Sequence, residues 1–263
     1  MSEPVSSERR RLVAVNLKAY FGFEETIGWL AELERRLDAA PVADAVEIAV
    51  LPPHPLLERA ARALEPHGVA IGAQDVSWVD NGPYTGEVTA SVLAEIGCRY
   101  AEVGHADRRR MLGESDAVVA DKAAAAVRHG LVPLLCVGEA ERTSPRLAAE
   151  EVVRQTVATL GRLSAAELVV AYEPFWAIGA DAPASADHVL EVGRALRDHL
   201  DASGHAARIL YGGTAGPGTL PPLAAEFDGL FLGRRAHRID GLLAVVEEAA
   251  AAGDVASARG VAR

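Results

Sequence analysis

The chain has 263 residues, half of them apolar, with 26 Lys and Arg against 37 Asp and Glu and a net charge of −11. That length allows one large α/β domain or two small ones with a sizeable core, and the acidic balance argues against nucleic acid or an anionic membrane as partner. The two cysteines, Cys98 and Cys136, are too few for a disulfide framework and lie in or beside apolar runs, so they are expected to be reduced core thiols of a cytoplasmic protein.

No apolar run is long enough to span a membrane, and Met1 to Arg10 is polar, without the apolar segment of a signal peptide, so it reads as a loose tail. Leu12 to Val15 is the first strand candidate, running into Asn16-Leu17-Lys18, and Glu24 to Leu37 has helical spacing. Val46 to Leu51 is a second strand, stopped by Pro52-Pro53; Leu56 to Leu64 reads as a helix and Val69 to Ala73 as a third strand. A loop from Gln74 to Glu87 carries the turn signal Asn81-Gly82-Pro83, and Thr89 to Ile96 is a short helix. Tyr100 to Val103 is the fourth strand, Asp116 to His129 a helix, Leu131 to Val137 the fifth strand and Leu147 to Leu160 a helix. Leu168 to Ala171 is the sixth strand; a helix over Ala186 to Leu200 starts at Ser185, a suitable N-cap. Arg208 to Tyr211 and Gly229 to Leu232 complete the strands, separated by a short helix over Leu220 to Ala225, and Gly241 to Ala251 is the last helix.

Short apolar strands alternating with helices predict an α/β fold with a parallel sheet. Strand–helix pairs repeated through a chain of this length fit a single (β/α)₈ barrel over residues 11–251, with loose tails over 1–10 and 252–263. A doubly wound open sheet is the alternative, and the lack of a G-x-G-x-x-G after the first strand counts against it.

In such a barrel the residues just past the strand C-termini build the active site. Here they are Asn16 and Lys18 after strand one, His105 after four, Glu173 after six, Gly212-Gly213-Thr214 after seven and Gly233 after eight. Glu173 sits between a strand and Pro174, which cannot extend a ladder, and is followed by bulky Phe175, Trp176 and Ile178 before Gly179. A carboxylate beside apolar bulk suits a general base, and an apolar loop between Pro and Gly suits a lid that excludes water. A capping glutamate beside a core tryptophan explains the same stretch without chemistry.

The set suits proton transfer next to a carbonyl. Glu173 would take a proton from carbon, His105 would polarise the neighbouring oxygen and Lys18 would stabilise the developing charge. The glycine turns would present N–H groups to an anion. No metal-ligand spacing, Cys cluster or Ser-His-Asp order is present, so neither metal nor cofactor is expected.

These motifs resemble the triosephosphate isomerase family, from about Val13 to Leu243. The matching stretches are Asn16-Leu17-Lys18, Gly72-Ala73-Gln74, Tyr84-Thr85-Gly86-Glu87, Val103-Gly104-His105, Arg108-Arg109, Cys136-Val137-Gly138-Glu139, Ala171 to Gly179 and Tyr211-Gly212-Gly213. The resemblance implies Glu173 as base, His105 as neutral electrophile, Asn16 and Lys18 as substrate contacts, and phosphate contacts near Gly179, Thr214 and Gly233. It implies Cys136 and Glu139 as supports behind those residues, and a homodimer in which the loop carrying Thr85 enters the neighbouring subunit's site.

Several positions depart from the family's common pattern. Ala106-Asp107 stands where Ser-Glu is usual, removing a hydroxyl that could hold the resting base and shortening a carboxylate. The lid continues Ala180-Asp181-Ala182-Pro183, so Asp181 is expected to add negative charge near a phosphate and Pro183 to stiffen the second hinge. Gly233-Arg234 stands where Gly-Gly is usual, with Arg235 next. Arg234 either points outward or alters the pocket; in the second case the chain resembles the family branch acting on four-carbon tetrulose phosphates rather than triose phosphates. A non-catalytic sugar-phosphate-binding barrel, and an aldolase using Lys18 as its Schiff-base lysine, are the other readings.

Overall fold

A computed structural model describes residues 10–163, 167–179, 183–205 and 207–260, with 253–260 as backbone alone. The apolar runs form eight parallel strands: β1 Arg11–Asn16, β2 Val46–Leu51, β3 Ala70–Ala73, β4 Tyr100–Val103, β5 Val132–Val137, β6 Leu168–Tyr172, β7 Ala207–Tyr211 and β8 Gly229–Leu232. Each pairs with the next in sequence, and β8 returns to β1 with Leu12 opposite Gly229 and Val15 opposite Leu232, closing a barrel. The predicted (β/α)₈ architecture is therefore the observed one.

Successive side chains in a strand face opposite sides, so each run divides between two environments. Val13, Val15, Ile48, Val50, Val170 and Ile209 face outward and pack under the helices. Leu12, Ala14, Ala49, Leu51, Tyr100, Leu134, Cys136 and Phe231 face inward and fill the barrel. Both faces are dry, which is why the strands read as continuous apolar runs rather than as alternation.

The α-helices are α1 Phe23–Ala39, α2 Leu57–Leu64, α3 Ala90–Ile96, α4 Ala106–Leu112, α5 Asp116–Arg128, α6 Pro145–Leu160, α7 Ala186–Ser203 and α8 Ile239–Gly260. Ser185 caps α7 as expected, its side chain accepting from the His188 N–H. Three features differ from the sequence expectation. The short α4 carries no apolar stripe, since Ala106 is its only buried residue, so periodicity could not reveal it. Between β7 and β8 the expected helix shrinks to a 3₁₀ turn over Pro221–Leu223, because Pro221 and Pro222 have no N–H to give. Where a loose tail was expected after residue 251, the α8 backbone stays helical to Gly260; the run Ala249 to Ala252 continues the helix with the best helix former.

At the N-terminal end of the barrel interior lies a buried polar cluster. Glu47 accepts from the Tyr100 hydroxyl at 2.6 Å and from Arg208 Nη1 at 2.8 Å. Arg208 Nη2 donates to the Tyr100 oxygen at 2.6 Å and to Glu167 at 3.0 Å. Burial alone would raise the Glu47 pKa, but the Tyr100 hydroxyl and the Arg208 guanidinium outweigh it and hold the carboxyl below its usual range.

Candidate active site

The opposite, C-terminal end of the barrel opens into a cavity of about 590 Å³. Asn16, Lys18, His105, Asp107 and Glu173 line its floor side, and Gly179, Gly212, Thr214, Gly233 and Arg234 its far side. These residues come from the ends of β1, β4, β6, β7 and β8, so residues scattered through the sequence meet at one rim. Gly213 lies behind the wall, where a Cβ would stand 2.7 Å from the Tyr211 hydroxyl and 2.9 Å from the Pro174 ring. Cys136 lies beneath the floor, Glu139 behind the lid, and Thr85 on an exposed loop elsewhere.

Glu173 is the first residue after β6. Its N–H still bonds Val137 O at 2.8 Å, which fixes the backbone before Pro174 ends the ladder. Gly212 is required beside it, since a Cβ there would stand 2.7 Å from the Glu173 carboxyl. The carboxyl is buried, and its Oε2 has no hydrogen-bond partner among the described residues. Ala106, in place of a hydroxyl residue, offers it nothing. Desolvation pushes its pKa up to about 7, against the opposing pull of Lys18.

His105 caps α4, and its Nδ1 accepts the Asp107 N–H at 3.0 Å. That bond leaves Nε2 as the protonated nitrogen of a neutral ring, facing Glu173 Oε2 at 3.6 Å. Burial and then the Lys18 charge lower the His105 pKa to about 4. The imidazole is therefore a donor that does not titrate near neutrality.

Lys18 adopts a left-handed backbone, φ 50°, costly for a residue with a side chain. Side chains hold it there: the Asn16 Oδ1 accepts the Lys18 N–H at 2.7 Å, and Gln74 Nε2 donates to the Lys18 carbonyl at 3.2 Å. Its ammonium reaches Asp107 Oδ2 at 3.1 Å. Burial opposes the charge, but Glu173 and Asp107 outweigh burial and raise the lysine pKa. Asp107 itself is held below its usual range; burial is outweighed by the Lys18 ammonium.

The lid begins as a 3₁₀ turn, Phe175–Ala177, with Gly179 at φ 73°. Trp176 Nε1 donates to Glu139 at 2.7 Å, and the Tyr172 hydroxyl and His188 complete a buried cluster around that carboxylate. Thr214 Oγ1 donates to the Ala177 carbonyl, tying the turn after β7 to the lid. Asp181 lies outside the described residues. Arg234 turns toward the cavity rather than outward: its Nη2 lies 3.0 Å from where a Cβ on Gly179 would sit. Among the described residues it makes no hydrogen bond or ion pair. Arg110, Arg234 and Arg235 add positive charge at the mouth of an otherwise acidic protein, a field suited to a small anion.

Sequence reasoning missed three residues here. Tyr20 and Arg110 line the cavity from elements with no recognisable spacing. Glu102 lies fully buried under Asn16, and the signal that could have found it is a charged residue inside a four-residue apolar strand.

Comparison with known proteins bears on the family of the chain. The sequence pattern of the family described as triosephosphate isomerase matches residues 11–249. The L-erythrulose-1-phosphate isomerase of Pectobacterium atrosepticum is 43% identical over 251 residues, covering 92% of this chain and 97% of that protein. The triosephosphate isomerase of Dechloromonas aromatica is 41% identical over 252 residues, covering 92% and 99%. That of Thermus thermophilus is 40% identical over 252 residues, covering 90% and 98%.

Proposed function

The chain belongs to the triosephosphate isomerase family and is an isomerase, and from that premise we propose that it interconverts small sugar phosphates, a ketose with an aldose or with an isomeric ketose, through an enediol(ate), without a cofactor. The observation that carries this reading is the pairing of an unpartnered buried carboxylate with a neutral imidazole N–H on one cavity floor.

Glu173 Oε2 takes a proton from the carbon next to the substrate carbonyl. The electron pair of that C–H bond forms the C=C bond of the enediol(ate), and the carbonyl π electrons pass to oxygen. His105 Nε2–H and the Lys18 ammonium stabilise that oxygen. The same carboxylic acid then returns the proton to the former carbonyl carbon, while His105 Nε2 gives its proton to the former carbonyl oxygen and takes the one released by the neighbouring hydroxyl, which becomes the new carbonyl. A base whose pKa lies near neutrality is matched to both halves of the transfer. Asn16 orders the floor, and backbone N–H groups at the Gly179, Gly213–Thr214 and Gly233 turns receive the phosphate, while the Gly212 N–H stays on the Tyr172 carbonyl at 2.9 Å. Closure of the lid over the substrate excludes water.

Two substrates differ here by one hydroxymethyl group. Dihydroxyacetone phosphate, going to glyceraldehyde 3-phosphate, is the three-carbon case. L-Erythrulose 1-phosphate, going to D-erythrulose 4-phosphate, is the same chemistry with hydroxymethyl in place of a hydrogen on the carbon that loses its proton. Arg234 adds a guanidinium beside Gly179 at the phosphate end, where both substrates carry the same group, and the likeness to an L-erythrulose-1-phosphate isomerase keeps the second reading beside the first. The exposed Trp78, Tyr84, Met111 and Leu112 support a homodimer in which the Thr85 loop meets a second subunit. Free buried Cys98 and Cys136 support a cytoplasmic location.

The test is purified protein assayed side by side on both substrates, as wild type and as Arg234→Gly. Isomerisation of neither substrate overturns the reaction. If Arg234 contacts the phosphate alone, its loss lowers kcat/KM for both substrates roughly ten- to a hundredfold, about 1.5–3 kcal/mol; if it also shapes the room for the hydroxymethyl group, the longer substrate falls further than the triose. An unmoved ratio of the two kcat/KM values removes Arg234 as the specificity element.

A further inference from the structure

Glu102 is the middle of three side chains that link the barrel interior to the cavity floor. It faces inward from β4, one layer above Tyr100, and is wholly buried. Its Oε2 accepts from Asn16 Nδ2 at 2.7 Å. The Asn16 amide is thereby oriented with its oxygen toward the Lys18 N–H, at 2.7 Å. Lys18 is the residue in the left-handed backbone whose ammonium enters the cavity. Were the amide to flip, Nδ2 would face the Lys18 N–H, donor against donor, and the turn would lose its support.

The other oxygen of Glu102 lies 3.6 Å from Cys136 Sγ. Glu102 forms no ion pair among the described residues. Around it stand Asn16 from β1, Cys136 from β5, Glu173 after β6, and Lys18 after β1. Its nearest polar partners are an amide and a thiol, both neutral. A carboxylate in that place would be buried without a counter-ion and would face the negative charge of Glu173, an arrangement that drives protonation of one of the two.

We propose that Glu102 is a positioning residue of the isomerase site, held as a neutral carboxylic acid, which locks the Asn16 amide and through it the turn that delivers Lys18. The proposal rests on the enediol(ate) reading for its kinetic consequences. Protonated on the oxygen facing Cys136, Glu102 offers its O–H to that sulfur and keeps its second oxygen for Asn16. The Cys136 thiol, which also faces Glu173, keeps its own proton. Because Glu102 then carries no charge, the anions of the floor are Glu173 and the half-exposed Asp107, and the titration of Glu173 is set by desolvation, Lys18, Asp107 and the Cys136 thiol. Burial, followed by the repulsion of Glu173, raises the Glu102 pKa well above its usual value, in agreement with this state.

The experiment compares Glu102→Leu and Glu102→Gln with wild type. Gln keeps a neutral side chain with an acceptor for Asn16; Leu fills the same space with none. Leu is expected to lower kcat/KM ten- to a hundredfold, mainly in kcat, and Gln to recover most of that loss with the acid limb of the pH profile within half a pH unit of wild type. The Asn16 side-chain amide, followed by ¹⁵N NMR, should be slow to exchange in wild type and Gln and fast in Leu. Full activity in Leu overturns the positioning role. An acid limb that moves by more than one pH unit in Gln overturns the neutral state. If wild type isomerises neither substrate, the enediol(ate) reading fails while the Asn16 exchange still decides whether Glu102 locks that amide. Should Leu fail to fold, the Gln profile and the protonated-carboxyl band in the infrared difference between wild type and Gln decide the neutral state, and the Asn16 exchange in Gln and wild type decides the lock.

Discussion

At the N-terminal end of the barrel, Glu47, Tyr100 and Arg208 are buried together and every charge meets its opposite or a hydroxyl at 2.6 to 2.8 Å. At the C-terminal end, Asn16, Glu102, Cys136 and Glu173 are equally buried, yet one carboxylate has only neutral partners and another has an oxygen with none. The same physics gives opposite outcomes. Below, desolvation is outweighed by the Tyr100 hydroxyl and the Arg208 ion pair, and Glu47 stays ionised; above, desolvation prevails and Glu173 rises to about 7. A satisfied cluster has one stable protonation state and serves the fold. An unsatisfied one has two states close in energy, which is what a group that must take and return a proton needs.

The largest expected effect breaks the upper end alone. Glu173→Gln keeps shape but cannot accept a proton, and kcat is expected to fall roughly a thousandfold or more, about 4 kcal/mol of barrier. Steady-state assay on the preferred substrate checks this; a variant within tenfold of wild type would remove Glu173 from the mechanism.

Next comes the lower end. Glu47→Gln leaves the Arg208 guanidinium without its buried counter-charge, and denaturant unfolding is expected to show a loss on the order of 3 kcal/mol. The acid limb of kcat/KM should not move. Equal stability, or a displaced limb, would mean the two ends are not separate.

A third outcome concerns stability against pH. The Glu173 carboxyl has an ordinary value of 4.5 and rises to about 7 when folded. Its protonated form is favoured by folding, so its contribution is full below pH 4.5 and is lost as pH rises to about 7, by about 3 kcal/mol. Glu173→Gln lacks this loss. Its stability should exceed that of wild type at pH 8 and match it near pH 4.5, read by urea unfolding at both values. The same titration predicts that wild-type kcat/KM falls about tenfold for each pH interval of one below about 7.

The smallest effect is a signal that stays still. His105, lowered to about 4, should show no ring titration between pH 5 and 8 by NMR. Its folded-state contribution is full above its ordinary 6.5 and is lost only as pH falls toward 4. A midpoint near 6.5 would contradict the neutral donor.

Much of this was legible in the chain. Asn16, Lys18, His105 and Glu173 stand directly after apolar runs, and in a barrel that position alone predicts their meeting. Glu102 stood out only as a charge inside an apolar strand; its place in the barrel interior was not legible, because all four residues of Tyr100–Val103 are buried and the strand shows no alternation to tell inside from outside. The direction of Arg234 was open too, since a 3₁₀ turn after Gly233 decides it and no spacing rule fixes such a turn. His188 escaped for a different reason. On α7 it looks like one polar residue of a surface helix, and only the fold brings it to Glu139 and the Tyr172 hydroxyl.

That last cluster gives the lid an optical label of its own. Of the three tryptophans, Trp29 is a buried residue of α1 and Trp78 is exposed, while Trp176 belongs to the lid. Its indole N–H is held by Glu139, its ring lies 6.0 Å from the His188 ring at 88°, and the Arg142 guanidinium stands 5.3 Å above it. A hydrogen-bonded carboxylate, an imidazole and a cation each alter indole emission. Any movement of the lid that releases Glu139 changes all three surroundings of one fluorophore together. With Trp29 and Trp78 replaced by phenylalanine, the brightness and colour of the remaining tryptophan would report lid position directly, on the timescale of a stopped-flow mixing experiment and without any added dye.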